Sequence, residues 1–127
     1  MKKKKVSGYV DMFVLPVPKK NLAAYKKLAN KFGKIMKEHG ALEYREFLGD
    51  DLLSKGVAHF PKRFKLKPED VLISSFIGFQ SKKHRDSVNK KAMSDPRMKK
   101  LMPSATMFDM KSMHYGGFST IVDMNAL

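Results

Sequence analysis

The chain contains no cysteine. That excludes disulfides and thiolate-bound zinc and suits a reducing compartment, with the cytoplasm as the expected location. No apolar run approaches the roughly 20 residues that a helix needs to cross a bilayer. The basic start at Met1 to Lys5 has the charge of a secretion signal, but the apolar stretch behind it is interrupted by Asp11 and closed by Pro16 and Pro18. Export is therefore not expected. No nucleotide-binding glycine loop, His-Glu-x-x-His helix or nucleophile elbow occurs, so no named enzyme signature is present. Acidic residues are scarce, with 12 Asp+Glu against 26 Lys+Arg and a formal charge of +14. Such an excess attracts phosphate polymers and anionic surfaces at long range while specifying no groove or base. Without a recognised nucleic-acid motif, nucleic-acid binding is the less favoured reading of that charge and solubility the first.

What is present has the balance of a globular protein, 43% hydrophobic and 30% charged over 127 residues. That length supports one core and leaves no room for a second. Residues 8–127 read as a single domain. Residues 1–7 read as a basic disordered tail, dispensable for folding, because Lys2 to Lys5 repel one another and nothing apolar anchors them.

Residues 9–15 are β-branched and aromatic around Asp11 and predict a first strand ending at Pro16-Val17-Pro18, since proline cannot donate to a ladder. From Asn21, placed as an N-cap, Leu22, Tyr25, Leu28, Ala29, Phe32, Ile35 and Met36 recur at helical spacing. Gly40 suits a left-handed cap at the other end. Residues 41–48 alternate as a second strand with Leu42, Tyr44, Glu46 and Leu48 on one face. A long basic loop is expected over 50–70. Residues 71–79 are apolar on both faces, as a central strand should be. Ser81 and Asp95-Pro96 look like caps for two further helices, the second ending near Met102. A last strand is expected over 113–122, bent or bulged at Gly116-Gly117.

The order is βαββαβ, an α+β ferredoxin-like sandwich with a four-stranded antiparallel sheet and helices on one face. A helix-free face made of doubly apolar strands needs another cover, and a second copy of the same sheet supplies one. A homodimer is the expected assembly.

Several short motifs stand in consistent order from about residue 9 to residue 123: Tyr9-Val10-Asp11, Pro16-Val17-Pro18, Gly49-Asp50-Asp51, Phe60-Pro61, Asp95-Pro96-Arg97-Met98, Phe108-Asp109 and Tyr115-Gly116-Gly117-Phe118. Together they resemble the YbaA-like family of bacterial proteins of unknown function. The resemblance implies a dimeric α/β-barrel fold. The family tends to have Gly where Met12 stands and a Cys-Trp pair where Phe47-Leu48 stand.

Asp11 and Glu46 sit mid-strand, where carboxylates are depleted and costly to bury alone. They are either paired with Lys, Arg or Tyr, or poised around a ligand. With the first and second strands flanking the third, facing residues would lie two spacings apart, roughly 9 to 10 Å. Tyr9 shares the face of Asp11, and Tyr115 lies on the neighbouring last strand, so both are candidates to line the same cleft. Tyr9, Asp11, Glu46 and Tyr115 are thus the candidate ligand-binding residues. The histidines His39, His59, His84 and His114 show no ligand spacing, so no metal and no cofactor is expected. Met93, Met98, Met102, Met107, Met110 and Met113 read as flexible core filler. Three functions remain open: a small-molecule-binding protein or cofactor-free enzyme, a basic RNA- or polyanion-binding module, and a dimeric interaction protein without a ligand.

Overall fold

A computed structural model describes residues 7–102 and 107–127; the expected lysine tail at 2–5 and Pro103 lie outside them. Strand β1 (Tyr9–Pro18) is followed by helix α1 (Leu22–Glu38), β2 (Glu43–Leu48), a short helix α2 (Phe60–Arg63), β3 (Asp70–Phe79), α3 (Lys82–Met93), α4 (Pro96–Leu101) and β4 (His114–Ser119). The strands form one antiparallel sheet in the order β2-β3-β1-β4. Helices α1, α3 and α4 pack on one face of it. This is the ferredoxin-like arrangement. Among the described residues no helix is long and apolar enough to cross a membrane.

The first strand does not stop at its prolines. The Lys19 amide donates to the Glu69 carbonyl at 2.8 Å, so the odd-numbered amides of β1 point at β3. Pro16 and Pro18 have the opposite parity and face the side of β4, which begins at His114 opposite Val14. No donor is needed there, and proline costs the ladder nothing.

Helix α1 buries Tyr25, Ile35 and Met36 from the apolar stripe. It ends at Gly40, whose φ is +109°, with the Ala41 amide donating to the Met36 carbonyl at 3.0 Å, a left-handed cap. Asn21 occupies the N-cap position, but its side chain does not cap the helix. Its amide donates instead to the Met107 carbonyl at 2.9 Å, tying the approach to β4 onto the start of α1. The loop over 50–70 contains α2, and β2 and β4 are shorter than the sequence suggests. Gly116 and Gly117 make no bulge, for the register from Tyr9↔Ser119 to Val14↔His114 is unbroken. Gly117 instead leaves room for the Tyr9 ring, which a β-carbon would strike.

Both predicted caps form: Ser81 accepts from the His84 amide at 3.1 Å and Asp95 from the Arg97 amide at 2.9 Å. Asp95 also meets His39 at 2.8 Å and the Arg97 guanidinium at 2.8 Å, while Arg97 reaches Glu38. Arg97 first, and His39 next, hold the Asp95 carboxyl well below the usual carboxylate range. A depressed folded value stabilises above the unfolded pKa of about 3.9 and is lost as pH falls through the folded one. Asp95→Asn should therefore lower the melting temperature at pH 7, with the gap to the unmodified protein closing in melts run towards pH 2. A gap that stays constant with pH would contradict this role.

Candidate functional site

The strand register sets out the helix-facing side chains in rows. One row runs Tyr44, Ile77, Asp11, Gly117, and the next runs Glu46, Ser75, Phe13, Tyr115. Asp11 and Glu46 therefore do not face each other directly across β3; they are staggered by one row. Two strand spacings and one two-residue step separate their Cα atoms by about 12 Å. Above the rows the buried core divides into two clusters, one around Ile35, Met36, Ile77 and Phe79, the other around Leu15, Val17, Tyr25 and Ile73. Between sheet and helices at this division lies a cavity of about 530 Å³. Its wall includes Asp11, Glu46 and Tyr115 among mainly apolar side chains, the composition of a small-molecule site.

At one end Asp11 is only 1% exposed. Its carboxylate meets the Arg85 guanidinium from α3 at 2.7 Å, which answers most of the cost of burying a charge. Arg85 also donates to the Tyr115 hydroxyl at 2.9 Å and to Asp86 at 2.7 Å. Its guanidinium carbon sits 5.1 Å from the centre of the Tyr9 ring, within cation–π range. Burial, and then the hydrogen bond and charge of Asp11, push the Tyr115 phenol upward. Tyr9 thus packs against Arg85 and lies outside the cavity lining.

At the other end Glu46 accepts from the Tyr25 hydroxyl at 2.6 Å and from the Tyr44 hydroxyl. Burial pushes its carboxyl above the usual range, and hydrogen bonds from Tyr25, Tyr44 and Ser75 offset part of that. Burial and the Glu46 charge drive both phenols far upward, so they stay neutral donors. The arrangement is a carboxyl raised by burial at the edge of an apolar chamber, held there by two neutral phenol donors.

Tyr44 owes its position to Gly33. A β-carbon at Gly33 would stand 2.6 Å from the Tyr44 ring, which is itself held edge-on against Phe32 at 5.5 Å. Gly33→Ala should gain about 1 kcal/mol in helix propensity yet lose more to overpacking, for a net destabilisation of about 1–2 kcal/mol. Denaturant titration decides it; a stabilised variant would mean that the ring moves freely.

Of the expected site residues, the cavity brings together Asp11, Glu46 and Tyr115 and leaves Tyr9 one row away on the same sheet face. Tyr25, Tyr44, Ser75 and Arg85 complete the two polar ends and were not singled out from the sequence. Tyr44 could have been, since it precedes Glu46 by two on the same strand face. Met98 is buried in the core and Met107 and Met113 pack against it, as expected, while Met93, Met102, Met110 and also Met113 line the cavity and give it adaptable walls. Among the described residues no group of three or more His, Asp or Glu could hold a metal ion.

"Uncharacterized protein YbaA" of Escherichia coli K12 is 41% identical over 115 residues, covering 91% of this chain and 97% of YbaA. A dimeric ferredoxin-like protein from an uncultured marine organism superposes with a TM-score of 0.52 at 10% identity, covering 95% of this chain and 94% of the other. SnoaB, a cofactor-independent oxygenase from Streptomyces nogalater, superposes with a TM-score of 0.52 at 9% identity, covering 93% and 98%. At such identities the two structures are alike in fold alone. Residues 8–110 match the family described as "Protein of unknown function (DUF1428)"; with the YbaA match, this places the chain in that family, as its motifs suggest.

Proposed function

We propose that this protein binds a small, mainly apolar molecule with oxygen functions at two separated edges, and that Glu46 exchanges a proton with it. The observation that carries this reading is the apolar cavity of about 530 Å³ walled by Asp11, Glu46 and Tyr115, with Glu46 raised by burial. A charged or strongly hydrated ligand would lose more solvation there than the two polar ends return. At one end the wall presents the Tyr115 hydroxyl beside the Arg85-paired Asp11, which suits a neutral polar oxygen, and at the other Glu46 suits a hydroxyl or an acidic C–H. SnoaB offers a precedent for cofactor-independent chemistry on this architecture, by analogy of fold only.

The functional unit in this reading is a homodimer joined through the helix-free face of the sheet. Met12, Phe47 and Phe118 are exposed there, and a protein of the same fold is dimeric. Native mass spectrometry of the purified protein tests assembly and retained molecules together. Titration with 1-naphthol, followed by its own fluorescence, tests the cavity directly. Saturable binding of one molecule per chain is expected. No retained molecule and no saturable naphthol binding would overturn the reading.

A second reading rests on the lysines. All of those described are exposed, and among the described residues none takes part in an ion pair. A polyanion-binding surface of this kind would give an affinity for RNA that falls steeply with salt and ignores sequence.

A further inference from the structure

We infer that Asn89 holds a carbonyl oxygen of the molecule bound in the cavity, so that the ligand is a carbonyl compound whose hydroxyl lies at the opposite edge. This rests on the reading of the cavity as a small-molecule site and names the chemistry of the ligand's second oxygen. The inward stripe of α3 recurs at helical spacing as Arg85, Val88, Asn89, Ala92 and Met93. Val88 and Ala92 are buried in the core, Arg85 pairs with Asp11, and Met93 supplies apolar wall. Asn89 is a polar residue in that stripe, and it lines the cavity.

The other hydrogen-bond donors of the cavity wall are already committed. Tyr25, Tyr44 and Ser75 turn their hydroxyls to Glu46. The Tyr115 hydroxyl turns to Asp11 and accepts from Arg85. Each of these hydrogens is aimed at a carboxylate, so what these groups leave to a ligand is the lone pairs of carboxylate and phenol oxygens. The Asn89 side chain is half-buried and, among the described residues, has no hydrogen-bond partner. Its amide therefore keeps both N–H groups free. A ligand whose oxygens were all hydroxyls would be served by the acceptors and have no use for that donor. A carbonyl oxygen has no proton of its own and needs a donor from the wall, which Asn89 provides.

The geometry of α3 sets this donor apart from Glu46. The helix starts at Ser81, just after β3 ends at Phe79, and packs back over β3 and β1, so it runs in the direction of β1. Arg85 fixes its register by meeting Asp11. Asn89 is four residues further, about 6 Å along the axis, which matches one two-residue step of about 6.8 Å along β1. It thus stands over the row of Glu46, Ser75, Phe13 and Tyr115. Glu46 closes that row at the β2 edge, under α1, while Asn89 reaches the cavity from the helix layer above β1. A rigid fused ring with a hydroxyl on one edge and a carbonyl on the other spans the two, its faces against the apolar wall.

Calorimetric titration with 6-hydroxy-1-tetralone and with 6-hydroxytetralin tests this, because the two compounds differ only in a carbonyl that replaces a methylene. The unmodified protein is expected to bind the tetralone about 10-fold more tightly, the effect of one neutral hydrogen bond to a donor otherwise unpaired. Asn89→Leu should erase that preference, weakening the tetralone by about 10-fold and changing the tetralin by less than about threefold. Asn89→Asp keeps the shape and removes the donor, so it should erase the preference as well, and it decides alone if Asn89→Leu fails to fold. If the unmodified protein binds both compounds equally, or if the preference survives in a folded variant, Asn89 has no part in recognition and the reading of the cavity stands. If neither compound binds the unmodified protein, both the reading and the role of Asn89 are overturned.

Discussion

Arg85→Leu is expected to lower the unfolding free energy by about 3–5 kcal/mol, the cost of leaving one charge of a buried pair without its partner. Asp11 is 1% exposed, and Arg85 is the cation that meets it, at 2.7 Å. With Arg85 gone, the carboxylate must stay ionised in an apolar wall or take up a proton, and either costs stability at neutral pH. At roughly 4 °C per kcal/mol for a chain of this length, the melting temperature should fall by about 12–20 °C. Adding Asp11→Asn to Arg85→Leu should recover most of the loss, because the amide carries no charge to strand. Thermal melts of the two single variants and the double variant close the cycle. The assignment fails if Arg85→Leu is harmless, or if the double variant is no more stable than Arg85→Leu alone. The same cycle should leave Glu46 untouched, since the two polar ends share no hydrogen bond.

How far the site could be read from the sequence depends on which physical signal each residue carries. Asp11 and Glu46 stand out because a carboxylate in the middle of a strand breaks a strong compositional rule. Tyr115 follows from strand order, since β4 lies beside β1. Arg85 carries no such signal: it is one of 26 Lys and Arg, on a helix whose other cations are solvated. Only tertiary packing selects it, 74 positions from Asp11. The one-row stagger between Asp11 and Glu46 was hidden for a similar reason. Register depends on turn and loop geometry, and the segment between β2 and β3 gives no hairpin rule from which to count. The prolines of β1 show the limit of a rule that is correct in itself. Proline removes a donor, but whether a donor is missed depends on which side of the strand that amide faces. Nothing in Pro16-Val17-Pro18 states where β4 begins. The fold was more legible because four strand patterns, a helical stripe, two side-chain caps and a glycine cap all agree with one topology.

Glu46→Gln is expected to do the opposite of Arg85→Leu: to hold or raise stability at neutral pH while emptying the cavity. Burial is the largest influence on the Glu46 carboxyl and raises it. A group raised on folding contributes its stability below the unfolded pKa, about 4.3 for Glu, and loses it as pH rises through the folded value. The unmodified protein should therefore lose stability relative to Glu46→Gln as pH climbs from about 4, and the two should converge below that. Glutamine keeps the shape and can still meet both phenols, with its carbonyl accepting from one and its amide donating to the other. What it cannot do is accept a proton. If Glu46 engages the hydroxyl of 1-naphthol as a charged acceptor, the loss is that of a charge-assisted hydrogen bond, about 1.5–3 kcal/mol, or roughly 10- to 150-fold in affinity. Two measurements, pH-dependent melting and fluorescence titration, thus separate a poised group from a structural one. Were Glu46→Gln to destabilise at pH 7 and still bind naphthol normally, the carboxylate would serve only to anchor Tyr25 and Tyr44. The proton-exchange reading would then have no residue to carry it, because Asp11 is already committed to Arg85.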